Sequence, residues 1–227
     1  MQDRERIIGN ASMALTFAAI CDMGTFFRPV AGGEDVAGPS VYLALIHHPV
    51  IGKGGEVITS AVTNLDLHDI ARAGHTFGVR AFYVVTPLED QKALAGRILK
   101  HWTEGYGGQY NPKRREALAL IRIRDDLDAV TADIRRREGR VPQVVATGAR
   151  ERNGCVGCAV VRERIAAGVP HLLVLGTAWG LAESVFQKAD AVLEPIRGCG
   201  DYNHLSVRSA ASILLDRLLG SNPTDTV

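Results

Sequence analysis

From Val41 onward, short apolar runs alternate with segments of helical spacing. The runs Val41–His47, Ala81–Val85, Ala119–Ile123, Gln143–Ala146, His171–Leu175 and Ala191–Leu193 are brief and mostly aliphatic, as strands buried on both faces are. Between them, Leu65–Phe77 spaces Leu65, Ile70, Ala73 and Phe77 as one face of a helix. Asn64 or Asp66 can cap that helix, and Gly78 can end it where positive φ is inexpensive. Leu88–Trp102 turns Leu94, Ile98 and Leu99 inward in the same way. Further helices are expected over Leu127–Arg137, Cys155–Ala167, Leu181–Gln187 and Leu205–Leu219. Glu104–Asn111 holds Gly105, Gly107 and Gly108 and reads as a loop carrying Tyr106 and Tyr110. Strands alternating with helices predict an α/β protein whose mostly parallel sheet is flanked by helices.

Residues 1–40 lack this rhythm and end in a Gly- and Pro-containing stretch, so they read as an extension and linker with one short helix around 8–21. The expected organisation is that extension, one domain over 41–220 and a short tail over 221–227. With 46% hydrophobic and 22% charged residues, the chain is neither disordered nor fibrous. The nearest approach to a membrane span is the eight residues Ala14–Cys21, far short of the roughly 20 needed. Asp3 and Glu5 do not suit a secretory leader. Four cysteines, Cys21, Cys155, Cys158 and Cys199, do not make a disulfide scaffold. A cytoplasmic protein without a membrane segment is expected.

The net charge of +1 hides an asymmetry. Over residues 97–164, 15 basic side chains face 9 acidic ones, whereas the stretches on either side are slightly acidic. Such a segment is either a set of solvated helix faces or a local surface for anions.

In open α/β sheets, ligands collect at the carboxyl ends of strands. Here those ends read Ala146-Thr147-Gly148, Leu175-Gly176-Thr177 and Glu194-Pro195-Ile196-Arg197-Gly198, turns in which backbone can approach a ligand closely. The usual phosphate motifs are missing. Gly52-Lys53-Gly54-Gly55 has no following Ser or Thr, and Gly198-x-Gly200 has no third glycine. Cys155-x-x-Cys158 lacks a second ligand pair for zinc, so packing is its simplest role, with a redox pair as the alternative. His47 and His48 are strand neighbours that point apart, which disfavours a shared metal. No metal is expected.

Three stretches, taken together and in order, resemble the motifs of the SPOUT class of S-adenosylmethionine-dependent RNA methyltransferases. The first is Asn64-Leu65-Asp66-Leu67-His68-Asp69-Ile70-Ala71-Arg72, running on to Phe77-Gly78-Val79. The second is Leu175-Gly176-Thr177-Ala178-Trp179-Gly180-Leu181. The third is Glu194-Pro195-Ile196 followed by His204-Leu205-Ser206-Val207-Arg208-Ser209. Val62-Thr63-Asn64-Leu65-Asp66, Tyr83-Val84-Val85-Thr86-Pro87 and Gly200-Asp201-Tyr202-Asn203-His204 are most similar to a bacterial family of the class. Some members of that family are fused to a tRNA guanine-N1 methyltransferase. The chain departs from the wider class in three places. Asn64 stands eight residues before Arg72 rather than six, the second motif is one residue shorter and lacks a Glu, and Ser206 replaces an Asn.

The resemblance implies a C-terminal trefoil knot, a homodimer with active sites at its interface, S-adenosylmethionine as cofactor, and tRNA or rRNA as partner, methylated on a base or a ribose. A non-catalytic RNA- or nucleotide-binding module on the same fold is the alternative. Cofactor binding falls to Thr147, Gly148, Leu175, Gly176, Thr177, Trp179, Gly180, Ile196 and Leu205, with Trp179 alternatively a core anchor. On the substrate side, Arg72 is the first catalytic candidate, as a base or as a holder of phosphate, the latter being easier for a guanidinium. His68, Asp69 and Asn203 are further candidates, and Arg208 can help position an anion. Lys113-Arg114-Arg115 and Arg135-Arg136-Arg137 can contact RNA phosphates, and Tyr106 and Tyr110 can stack on an unpaired base.

Overall fold

The computed structural model of the chain describes residues 38–200 and 202–221, so the helix expected around 8–21 lies outside the described residues. Six parallel strands form the main sheet, in the order β5-β4-β1-β7-β6-β8. They are β1 (Val41–Ile46), β4 (Ala81–Val85), β5 (Ile121–Arg124), β6 (Gln143–Ala146), β7 (His171–Gly176) and β8 (Ala191–Val192). β1 is buried along its whole length, which explains its continuous apolar sequence. Its register runs from Tyr42 opposite Ala81 on one side and from Val41 opposite His171 on the other.

One face of the sheet is covered by α1 (Asn64–Thr76), α2 (Glu89–Thr103), α4 (Pro112–Leu118), α6 (Cys158–Ala166) and α8 (Val207–Leu219), around Leu43, Leu45, Leu67, Ile70, Phe82 and Leu215. The other face is covered by α5 (Leu127–Glu138) and α7 (Glu183–Phe186), together with a hairpin, β2 (Val50–Ile51) and β3 (Val57–Ile58). The α/β architecture expected from the pattern is therefore the one observed.

Several boundaries differ for local reasons. α1 is capped by Thr63, not by Asn64 or Asp66; the Thr63 hydroxyl accepts the Asp66 N–H at 3.2 Å and donates to the Asp66 carboxylate at 2.7 Å. Gly78 follows the helix at φ 72°, as expected. The expected loop over Glu104–Asn111 contains the short helix α3 (Tyr106–Tyr110), and α4 follows it directly. α4 starts where the Asn111 side chain caps the Arg114 N–H and Pro112 takes the first helical position, which delays β5 to Ile121. Gly52-Lys53-Gly54-Gly55 forms the turn of the hairpin, with the Gly52 N–H bonded to the Glu56 carbonyl at 2.8 Å.

Candidate functional site

The three Gly-bearing turns meet at the carboxyl edge of the sheet. Thr147 follows β6; its amide and its hydroxyl both donate to the Val174 carbonyl of β7, at 3.1 and 3.0 Å. The turn after β7 folds back on itself through a Gly180 N–H to Thr177 carbonyl bond of 2.9 Å. Gly176 has to be glycine, because a Cβ there would lie 2.7 Å from the Leu181 amide nitrogen. Gly180 has φ +111°, and Ala178 holds φ 52°, a left-handed conformation that costs a non-glycine residue energy. The hairpin grips this turn: Ile51 N–H donates to the Gly180 carbonyl at 2.9 Å, and Trp179 N–H to the Ile51 carbonyl at 3.0 Å. The third turn is tied in by Asn203, whose Nδ2 donates to the Ala149 carbonyl at 2.8 Å.

Beneath the β7 turn runs a hydrogen-bonded chain that sequence reasoning missed. The Thr177 hydroxyl donates to the Ile46 carbonyl at 2.9 Å and lies 2.5 Å from the Ser60 hydroxyl, which is 3.0 Å from His47 Nδ1. Since Thr177 already donates to Ile46, Ser60 must donate to Thr177, and His47 Nδ1–H to Ser60. That sequence of donors places a proton on His47 Nδ1. His47 is fully buried, and among the described residues its Nε2 has no hydrogen-bond partner. Burial lowers its pKa to about 4, against the raising influence of the nearby Asp66 carboxylate. The sequence offers only His47-His48-Pro49, a pair whose side chains disfavour a shared metal, and nothing in it points to Ser60, thirteen residues away.

On the sheet face that bears α1 and α8, a shallow depression of about 530 Å³ is lined by Asp69, Arg72, Thr76, Ser206, Arg208 and Ser212. Arg208 bonds Asp66 at 2.8 Å through Nη1 and approaches Asp69 at 3.4 Å through Nε. The anion-positioning role expected of Arg208 is thus already met by two carboxylates of its own chain. Among the described residues, no carboxylate pairs with Arg72, which is exposed beside them. His68 lies one turn earlier on α1, edge-on to Trp102 with ring centroids 5.1 Å apart, and is not part of the lining. Burial, with Arg114 and Arg72 nearby, lowers the His68 pKa although Asp69 opposes them. The structure therefore brings Arg72 and Asp69 together at the α1–α8 depression and sets His68 apart from it.

A family model described as SAM-dependent RNA methyltransferase matches residues 40–220. The chain belongs to that family. It is 47% identical over 186 residues to a tRNA (guanine-N(1)-)-methyltransferase of Nitratidesulfovibrio vulgaris, a match covering 81% of this chain and 43% of that protein. It is 38% identical over 187 residues to an uncharacterised protein of Aquifex aeolicus, covering 82% of this chain and 91% of that one. The chain thus spans less than half the length of the first relative and nearly all of the second. Its fold is shared with a proposed methylase-family protein of Neisseria gonorrhoeae at a TM-score of 0.56 and 16% identity, over 88% of this chain and 89% of that one.

For a SAM-dependent methyltransferase, the donor set at the three turns is suitable. The Thr147 and Thr177 hydroxyl protons are engaged within the protein, so backbone is the main offering of these turns to a cofactor. Trp179 is 61% exposed, which removes the core-anchor alternative. Ile196 is half-buried against the core, and Leu205 is exposed. Burial pushes the Cys158 thiol up in pKa and the side chain packs against the core, as expected of a packing residue rather than a reactive thiolate. Arg136 and Arg137 bind the buried Asp133, which Arg124 and the Tyr83 hydroxyl also reach, so part of the basic segment is internal structure. Among the described residues, no helix is long and apolar enough to cross a membrane.

Proposed function

We propose that this chain methylates RNA, with tRNA as the substrate class, using S-adenosylmethionine bound at the three turns and working as a cytoplasmic homodimer. The observation that carries it is the family match over 40–220 together with a β7 turn built on Gly176 and Gly180. S-adenosylmethionine supplies an electrophilic methyl group. Thr147, Gly148, Leu175, Gly176, Thr177, Trp179 and Gly180 would hold it through the turns, with Ile196 and Leu205 as an apolar slot. Arg72 would hold an RNA phosphate, and its lack of a carboxylate partner among the described residues supports that role over a structural one. Asn203 acts by fixing the third turn to Ala149, not by moving a proton. His68, edge-on to Trp102, and Asp69, engaged by Arg208, rank behind Arg72 as catalytic groups.

The tRNA class rests on the name of the Nitratidesulfovibrio relative; because only 43% of that protein is matched, its guanine-N1 specificity is not carried over. The α1–α8 depression is the proposed dimer face, where Arg72 of one protomer would meet the cofactor turns of the other. The C-terminal knot belongs to the same proposal. It is supported by the sheet order, in which the chain passes from β6 inward to β7 and back past β6 to β8. The extension is proposed to lie outside this catalytic domain up to Gly38–Ser40, which join it: the His171 N–H donates to the Ser40 carbonyl at 2.8 Å. The engagement of Asp69 favours one second reading, a non-catalytic RNA-binding module. Titration calorimetry with S-adenosylhomocysteine tests the cofactor site. One molecule bound per chain is expected, and a flat trace overturns the proposal.

A further inference from the structure

Two large aromatic rings stand out from the surface at α3. Tyr106 and Tyr110 are 72% and 77% exposed, and their rings stack on each other with centroids 6.2 Å apart and planes 25° apart. The turn beneath them is held tightly. A Cβ on Gly105 would lie 2.7 Å from the His101 carbonyl oxygen, and one on Gly107 would lie 2.7 Å from His101 Nε2. One on Gly108 would strike the Trp102 carbonyl. Trp102 is itself fixed between the edges of His68 and His101, with the Arg114 guanidinium 4.8 Å over its ring. The three glycines thus seat α3 directly on the end of α2 and leave the tyrosines as a pre-set aromatic surface.

The surroundings are cationic. A depression of about 410 Å³ beside Gly105 is lined by Arg97, Lys100, His101 and Glu104. On the other side, Arg115 Cδ lies 3.2 Å from the Cβ position of Gly108. Exposed aromatic rings bordered by Arg and Lys suit an unpaired nucleobase, whose face stacks while its phosphates meet the cations.

We propose that Tyr106 and Tyr110 form a stacking platform for an unpaired base of the RNA, with Arg97, Lys100 and Arg115 meeting the adjoining phosphates. This rests on the RNA-methylating proposal above and adds where the RNA is gripped. α2 leaves the carboxyl edge of the sheet after β4 and runs back for 15 residues, a span on the order of 20 Å, so the platform lies away from the cofactor turns. It therefore selects and anchors RNA without taking part in methyl transfer.

The test uses the whole chain and a single-stranded RNA carrying 2-aminopurine, with affinity read by anisotropy and stacking by fluorescence quenching. Wild type should bind and quench. The double variant Tyr106→Ala/Tyr110→Ala should lose the quench and bind about tenfold more weakly, while the matching Phe pair stays near wild type. Affinity for S-adenosylhomocysteine should be unchanged in all three, which also shows that each is folded. Wild-type-like RNA binding and quenching by the Ala pair overturn the platform alone. A wild type that binds S-adenosylhomocysteine but no RNA overturns the platform and the RNA proposal together. An Ala pair that changes only the sedimentation behaviour assigns the surface to a contact between copies of the chain, and the platform falls.

Discussion

At the end of β1, one histidine without solvent exposure anchors the hydrogen-bonded chain that reaches the β7 turn. The folded protein holds His47 at a pKa of about 4, below its ordinary 6.5. Between those values the unfolded chain binds a proton that the folded chain refuses, so stability falls as pH drops from about 6.5 to about 4 and then levels off. Burial lowers the pKa of His171 as well, which adds in the same direction. Denaturant unfolding at pH 7 and pH 5 should differ by about 2 kcal/mol from His47 alone. The variant His47→Gln should reduce that difference by a similar amount, and an unchanged difference would show that His47 is not the titrating group. Sequence could supply the histidine but not its burial, because a residue at a strand end is wet or dry according to what packs over it. Here that is the hairpin exit carrying Ser60, which approaches only in three dimensions.

At the scale of elements, the six strands of the main sheet and the long helices were legible from periodicity, and the two-residue hairpin strands β2 and β3 and the short helices α3 and α4 were not. Glycines at 105, 107 and 108 normally signal a loop, yet here they form a helical turn because nothing larger fits against His101 and Trp102. The start of α4 was readable in principle from Asn111-Pro112, a cap followed by proline at the first helical position. The β7 turn is the element on which the cofactor proposal depends. Gly176→Ala would push a methyl group into the Leu181 and Gly180 backbone and shift the turn. S-adenosylhomocysteine affinity should fall by about tenfold or more, while the sheet and its circular dichroism persist, since the penalty is local, roughly 1–3 kcal/mol of overpacking. Unaltered affinity in that variant would place the cofactor elsewhere.

Across the whole molecule, the cations over residues 97–164 have several uses, two of which bear on the site. Arg136 and Arg137 pair with the buried Asp133 within α5, and Arg124 of β5 reaches the same carboxylate and ties α5 to the sheet. Arg97, Lys100 and Arg115 stay outside, next to the exposed tyrosines. Counting charges along the chain located the segment but could not divide it, because both sets look alike until the acidic partner is placed. The motif order similarly identified the family but could not say that Arg208 would be taken by Asp66 and Asp69 while Arg72 is left beside them. The functional claim joins that arginine to the three turns through methyl transfer to RNA. Its most direct test is the transfer of labelled methyl from S-adenosylmethionine to tRNA by the whole chain, alongside the Arg72→Ala variant. Label should enter the RNA with wild type and fall by about a hundredfold with Arg72→Ala, at unchanged affinity for S-adenosylhomocysteine. A wild-type chain that binds S-adenosylhomocysteine yet leaves tRNA unlabelled would contradict it.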